Sequence, residues 1–182
     1  MKFIKTAIED VVIIEPKVWG DERGYFFESY RHDLFCKNIA QIEWVQDNES
    51  YSSYGTLRGL HYQLPPFSQS KLVRVTQGIV LDVAVDVRRQ SSTFGKHVGV
   101  ELSSENKRQL FVPKGFAHGF VVLSETATFQ YKVDAYYAKD YERSIAFDDK
   151  TLGIEWGLPR ADVLLSGKDM TALSFEDAEV FE

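Results

Sequence analysis

The sequence predicts an all-β fold, an antiparallel sandwich or barrel. Period-two alternation runs through Ile79–Arg88: Ile79, Leu81, Val83, Val85 and Val87 share one face, and Val80, Asp82, Ala84, Asp86 and Arg88 the other. Short runs of similar character recur along the chain, each stopped by a cluster of Gly, Pro, Ser or Asn. Helical periodicity is weak and local. A sheet that closes on itself turns every second side chain of each strand toward one interior, so polar residues at inward positions would converge on a cavity.

In chain order, Val11–Glu15 and Tyr25–Tyr30 are the first predicted strands, separated by the charged turn G-D-E-R-G. Arg31–Lys37 suits two helical turns with Leu34 and Phe35 inward. Trp44–Asn48, Leu57–Gln63, Lys71–Gln77 and Ile79–Arg88 follow as strands, then His97–Leu102, Gln109–Val112, Gly119–Leu123 and Thr126–Val133. The tail from Ser174 suits one more short helix. No repeat, low-complexity segment or long linker interrupts this series, so residues 1–182 are expected to form one domain. With 182 residues, 44% of them hydrophobic, the chain can bury a substantial core.

Composition excludes some roles. A net charge of −6 and a pI near 5.3 disfavour nucleic acid as a partner, because phosphate backbones are bound by surfaces rich in Lys and Arg. A local basic cluster can still hold a small diphosphate, since screening confines charges to about 8–10 Å. The single cysteine, Cys36, offers no intrachain disulfide and suits a reducing compartment. The N-terminus lacks the apolar core of a signal peptide, and no uncharged apolar run approaches the ~20 residues of a membrane span. These features predict a soluble, cytoplasmic protein.

The segment T-L-R-G-L-H-Y-Q, Thr56–Gln63, carries the most chemistry. Gly59 and the following Pro65-Pro66 imply a shaped backbone, on which His61 is either a positioned base or a core histidine. Regular strand puts His61 and Gln63 on one face and Arg58 on the other, so joint action would need a bulge or a bend, which Gly59 permits. Of the four histidines (32, 61, 97 and 118), none shows the i, i+2 pairing of a metal-binding cupin strand, and the site is expected to be metal-free. Lys71 shares a face with Val73 and Val75; it either meets an anion or snorkels to water. Tyr131 shares a face with Phe129 and Ala127, as a core residue or as a phenol facing a base. Pro113–Phe120 reads as a turn leading into a strand, where His118, between glycines, either approaches a ligand closely or belongs to an ordinary loop. Arg23 lies in a charged turn beside Gly24 and Glu28 in the strand that follows, and Ser166-Gly167-Lys168-Asp169 reads as a capping turn.

The ordered set G-D-E-R-G-Y-F-F-E-S, Q-D-N-E-S, L-R-G-L-H-Y-Q, K-L-V-R-V, P-K-G-F-A-H-G-F and Y-K-V-D-A-Y-Y closely resembles the dTDP-4-dehydrorhamnose 3,5-epimerase family, from about Pro16 to Asp169. The resemblance implies a cupin-type double-stranded β-helix, or jelly roll, with short peripheral helices. It further implies a homodimer and a cofactor-independent reaction on a nucleotide-linked 4-keto sugar that feeds surface polysaccharide assembly. It assigns His61 as base, Asp169 as its partner, Lys71 as the enolate-stabilising cation and Tyr131 as acid, with Tyr137 a nearby alternative phenol. Trp19, Arg23, Glu28, Gln46, Asn48, Arg58, Lys71, His118, Glu142 and Lys168 match its substrate-binding positions. Trp19 stands where the family often has phenylalanine, and either ring can stack on thymine. Ser68-Gln69-Ser70 replaces the small alanine-containing stretch often found before the lysine. Other readings are an epimerase acting at one carbon, a 3,4-ketoisomerase and a non-enzymatic binding module.

Overall fold

In the computed structural model, which describes residues 1–182, two antiparallel sheets face each other as a jelly roll. Thirteen strands follow the chain: β1 Lys2–Lys5, β2 Val12–Glu15, β3 Trp19–Asp21, β4 Gly24–Phe26, β5 Gln46–Ser53, β6 Leu57–Gln63, β7 Lys71–Gln77, β8 Ile79–Asp86, β9 His97–Ser103, β10 Gln109–Val112, β11 Phe116–Val122, β12 Thr126–Val133 and β13 Glu142–Ser144. One sheet has the order β1-β2-β10-β7-β12-β5 and the other β13-β6-β11-β8-β9, while β3 and β4 form a separate hairpin. The one α-helix, α1, covers His32–Asn38 and buries Phe35.

Alternation dictates what fills the space between the sheets. Val73 and Val75 of β7, Val80 and Ala84 of β8, Phe116 and Phe120 of β11, and Ala127 and Phe129 of β12 share one core there. Phe120 and Phe129 stack with ring centroids 4.1 Å apart. The more uniformly apolar face of β8 turns the other way. Val83, Val85 and Val87 pack outside, under Ile145, Phe147, Leu152, Trp156 and Val180 from the last third of the chain. This second core explains how a strand can be buried on both faces. It also frees the inner face to carry polar residues such as Asp82, which is fully buried.

Several elements differ from the sequence expectation. The strand expected over Tyr25–Tyr30 ends at Phe26, because β4 pairs only with β3 and joins no larger sheet. The strand expected at Trp44–Asn48 begins at Gln46 and runs to Ser53, since β12 pairs along its whole length and overrides its polar composition. β11 starts at Phe116 rather than Gly119, straight after the turn at Gly115, and β1 and β13 have no counterpart in the sequence expectation. No helix forms after Ser174. Ser174 Oγ closes a turn with Asp177, and the tail is pulled out straight by Phe181, whose amide donates to Val87 O at 2.9 Å. The expected helix at Arg31–Lys37 is α1, displaced by one residue.

Candidate active site

Inward side chains at one end of the jelly roll enclose a cavity of about 570 Å³. Arg58 and His61 come from β6, Lys71 from β7, His118 and Phe120 from β11, Phe129 and Tyr131 from β12, Asn48 from β5, and Ser166 and Asp169 from the loop that crosses the rim. Arg58 and His61 both reach it because β6 is bulged. Arg58 pairs with Phe120 and His61 with His118, so Gly59 and Leu60 together oppose the single residue Gly119. Gly59 has φ of 131°, and a Cβ there would stand 2.5 Å from Gly119 Cα, so only glycine fits the bulge. From sequence, joint action of Arg58 and His61 required a bulge or a bend that Gly59 permits; the register shows it to be a bulge.

His61 Nε2 and Asp169 Oδ1 lie 2.6 Å apart. Asp169 is buried, its Oδ2 accepts from Ser166 Oγ at 2.7 Å, and its own amide donates back to that oxygen at 3.2 Å. The capping turn is therefore also the clamp that aims the carboxylate. Burial alone pushes the Asp169 carboxyl up, but hydrogen bonds from His61 and Ser166 outweigh it and hold the group below its ordinary value. A carboxylate on Nε2 fixes the proton there in the neutral ring, which leaves Nδ1 as the nitrogen free to accept one.

Burial depresses the Lys71 ammonium to about 8, with Asp82 and then Glu142 drawing it back up. Burial also raises the Tyr131 phenol, which stays protonated at neutral pH. Tyr137 is outside the cavity lining, exposed, and donates to Glu142 Oε2 at 2.8 Å. Glu142 also ion-pairs Lys168, and both stand beside the cavity, Glu142 two register positions from the residue opposite His61. Gln46 donates to Asn48 Oδ1 at 2.7 Å and orients it from behind. Nowhere do three or more His, Cys, Asp or Glu side chains converge as a metal site would require.

Gln46, Glu142 and Lys168 stand next to residues of the lining without joining it, and three further candidates lie away from the cavity within one chain. Trp19 and Arg23 sit on the β3–β4 hairpin, where Arg23 ion-pairs Asp21 at 2.5 Å. Glu28 follows the hairpin and faces Arg31 at 3.7 Å. The hairpin joins neither sheet, so nothing in its own chain carries these residues inward. Conversely, Ser166 and Asp82 gained no role from sequence. Ser166 was legible only as a cap. Asp82 did leave a signal, a lone carboxylate in the middle of a strand alternating with Val80 and Ala84.

A jelly roll closed around a histidine–carboxylate pair, a depressed lysine and a protonated phenol belongs to the cupin-type proteins equipped for acid–base chemistry. The family model described as dTDP-4-dehydrorhamnose 3,5-epimerase matches residues 5–177, and the chain belongs to that family. A Shigella flexneri protein named dTDP-4-dehydrorhamnose 3,5-epimerase is 56% identical over 182 residues, covering 100% of this chain and 99% of that one. The crystal structure of a Legionella pneumophila dTDP-6-deoxy-D-glucose-3,5-epimerase in complex with dTDP-4-keto-L-rhamnose is 50% identical, with a TM-score of 0.93, covering 97% of this chain and 93% of that one. A Streptomyces bikiniensis 3'-monoepimerase in complex with dTDP-quinovose is 32% identical, with a TM-score of 0.87 and coverage of 95% and 87%.

Proposed function

We propose that the protein is a cofactor-independent epimerase that inverts C3 and C5 of dTDP-4-dehydro-6-deoxy-D-glucose, giving dTDP-4-dehydro-L-rhamnose. The observation that carries the reading is that His61, Asp169, Lys71 and Tyr131, from four separate parts of the chain, line one cavity. A C4 ketone acidifies the C–H bonds at C3 and C5. His61 Nδ1 removes such a proton, the electron pair moves onto O4, and Asp169 stabilises the imidazolium that forms. Lys71 steadies the O4 enolate with its ammonium. Tyr131 returns a proton to the carbon from the other face, and exchange with solvent resets both groups. Arg58, His118 and Asn48 hold the sugar and diphosphate, with Glu142 and Lys168 beside them.

Trp19, Arg23 and Glu28 complete the nucleotide site in a homodimer. Two features support that assembly: β5 is an eight-residue edge strand, and the hairpin exposes Trp19, Tyr25 and Phe26 at 46%, 61% and 67%. A twofold exchange would bring each hairpin to its partner's cavity. Residues 1–182 act as one domain in the cytoplasm, where Cys36 stays reduced, and the product supplies surface polysaccharide assembly. No helix is long and apolar enough to cross a membrane.

The test is reaction of the 4-keto-6-deoxy sugar nucleotide in deuterated water. Label at both C3 and C5 with the carbonyl still at C4 is expected; label at one carbon selects the single-carbon epimerase, and a carbonyl at C3 the ketoisomerase. No exchange at either carbon, with dTDP still bound, leaves only a binding module.

A further inference from the structure

The floor of the cavity holds a second histidine–carboxylate pair, whose carboxylate, Asp82, the proposed reaction leaves without a task. His118 Nε2 and Asp82 Oδ1 lie 2.5 Å apart, with Asp82 at 0% exposure and His118 at 7%. Asp82 sits directly opposite Phe120 in the β8–β11 register and does not itself line the cavity. Its second oxygen, Oδ2, is buried with no hydrogen-bond partner. An unpaired buried carboxylate oxygen has lost its hydration with no bond in return, and such a cost calls for a reason. Lys71 supplies one: its side chain lines the cavity together with His118, which Asp82 holds, and the Asp82 charge favours the ammonium.

We propose that Asp82 is a positioning residue of the cavity floor, which fixes His118 with its proton on Nε2 and Nδ1 offered as an acceptor to the bound sugar, and which keeps Lys71 in its ammonium form. The inference rests on the epimerase reading for its consequence, since a neutral lysine cannot stabilise the enolate. The His118 part follows from donor counting. A carboxylate can only accept, so Nε2 must donate, and burial disfavours the charged ring, leaving Nδ1 bare. The Lys71 part follows from the charges around it: Asp82 on β8 and Glu142 on β13 favour the ammonium, and Lys168 opposes it. Glu49, Arg58, His61, His118, Tyr131 and Asp169 line the same cavity, and of these Glu49 and Asp169 add carboxylates.

The measurement is the pH profile of kcat for the wild type, Asp82→Asn and Asp82→Glu. Loss of the charge lowers the Lys71 pKa, so the alkaline limb of Asp82→Asn should move about one pH unit toward acid. Its kcat at pH 8 should fall about fivefold, with dTDP affinity held within about threefold. Asp82→Glu, which keeps the charge, should keep the limb. A purely structural Asp82 would lower activity at every pH and leave the limb in place, and that result overturns the proposal. If Asp82→Asn does not fold, nitrogen-15 NMR of the wild type decides: an Nε2–H tautomer for His118 and a Lys71 titration near pH 8 are expected, and an Nδ1–H tautomer refutes it. A wild type that exchanges no label at C3 or C5 defeats the epimerase reading instead, and leaves the NMR result standing on its own.

Discussion

Replacing Asp169 by asparagine removes a charge and almost no volume, which isolates the role of the carboxylate behind His61. With Nε2 and Oδ1 2.6 Å apart, the charge centres of an imidazolium and this carboxylate are about 4 Å apart. At an effective dielectric constant of ~20 their attraction is about 4 kcal/mol. His61 is only partly charged when the C–H bond is half broken, so about 2–4 kcal/mol of that is lost from the barrier, a factor of roughly 30–1,000 in kcat. A second effect acts in the same direction. The side-chain amide of the Asp169→Asn variant can donate to Nε2, which places the imidazole proton on Nδ1 and blocks the nitrogen that must accept. The assay is initial rate of deuterium wash-in, followed by proton NMR, with dTDP binding by calorimetry as the control for folding. We expect exchange at both carbons to slow in parallel while dTDP affinity holds. A kcat within threefold of wild type would refute the base assignment.

Tyr131→Phe should slow epimerisation about 100-fold or more, yet leave proton removal by His61 detectable as loss of label from substrate deuterated at C3 or C5; loss of both would mean the phenol acts earlier. Asp86 is fully buried, and although burial pushes its carboxyl up, hydrogen bonds from Arg88, Ser91 and Thr93 bring it down to about 2. Because its folded pKa lies below the unfolded value of about 3.9, its stabilisation of about 2–3 kcal/mol is present above pH 4 and is lost as pH falls toward 2. Thermal unfolding of Asp86→Asn should therefore show a deficit at pH 7 that closes by pH 2. Trp19→Ser with Phe26→Ser should shift the protein toward monomer in sedimentation and raise KM about tenfold, whereas an unchanged dimer with unchanged KM would remove the hairpin from the site.

How much of this was readable beforehand depended on the range of the force involved. β7 and β8 were legible because period-two alternation is a local property, but the face Lys71 shares with Val73 and Val75 left it either meeting an anion or snorkelling to water, and only the folded sheet puts it on the cavity. β5 was misplaced because its polar residues form strand only through β12, a neighbour about eighty positions away in sequence. The C-terminal helix failed for the same reason: Phe181 gains more from extending along Val87 and Arg89 than a local helix could return. His61 and Asp169 are 108 residues apart, and only closure of the rim loop makes them partners. Asp82 shows the opposite limit. Its alternation with Val80, Asp86 and Arg88 put it on the more polar face of the strand, and composition could not tell that this face is buried between the sheets. The sheet geometry explains it: a second core takes over the burial that β8 needs, so the inner face is released from packing duty and can carry a charge beside the proposed enolate site.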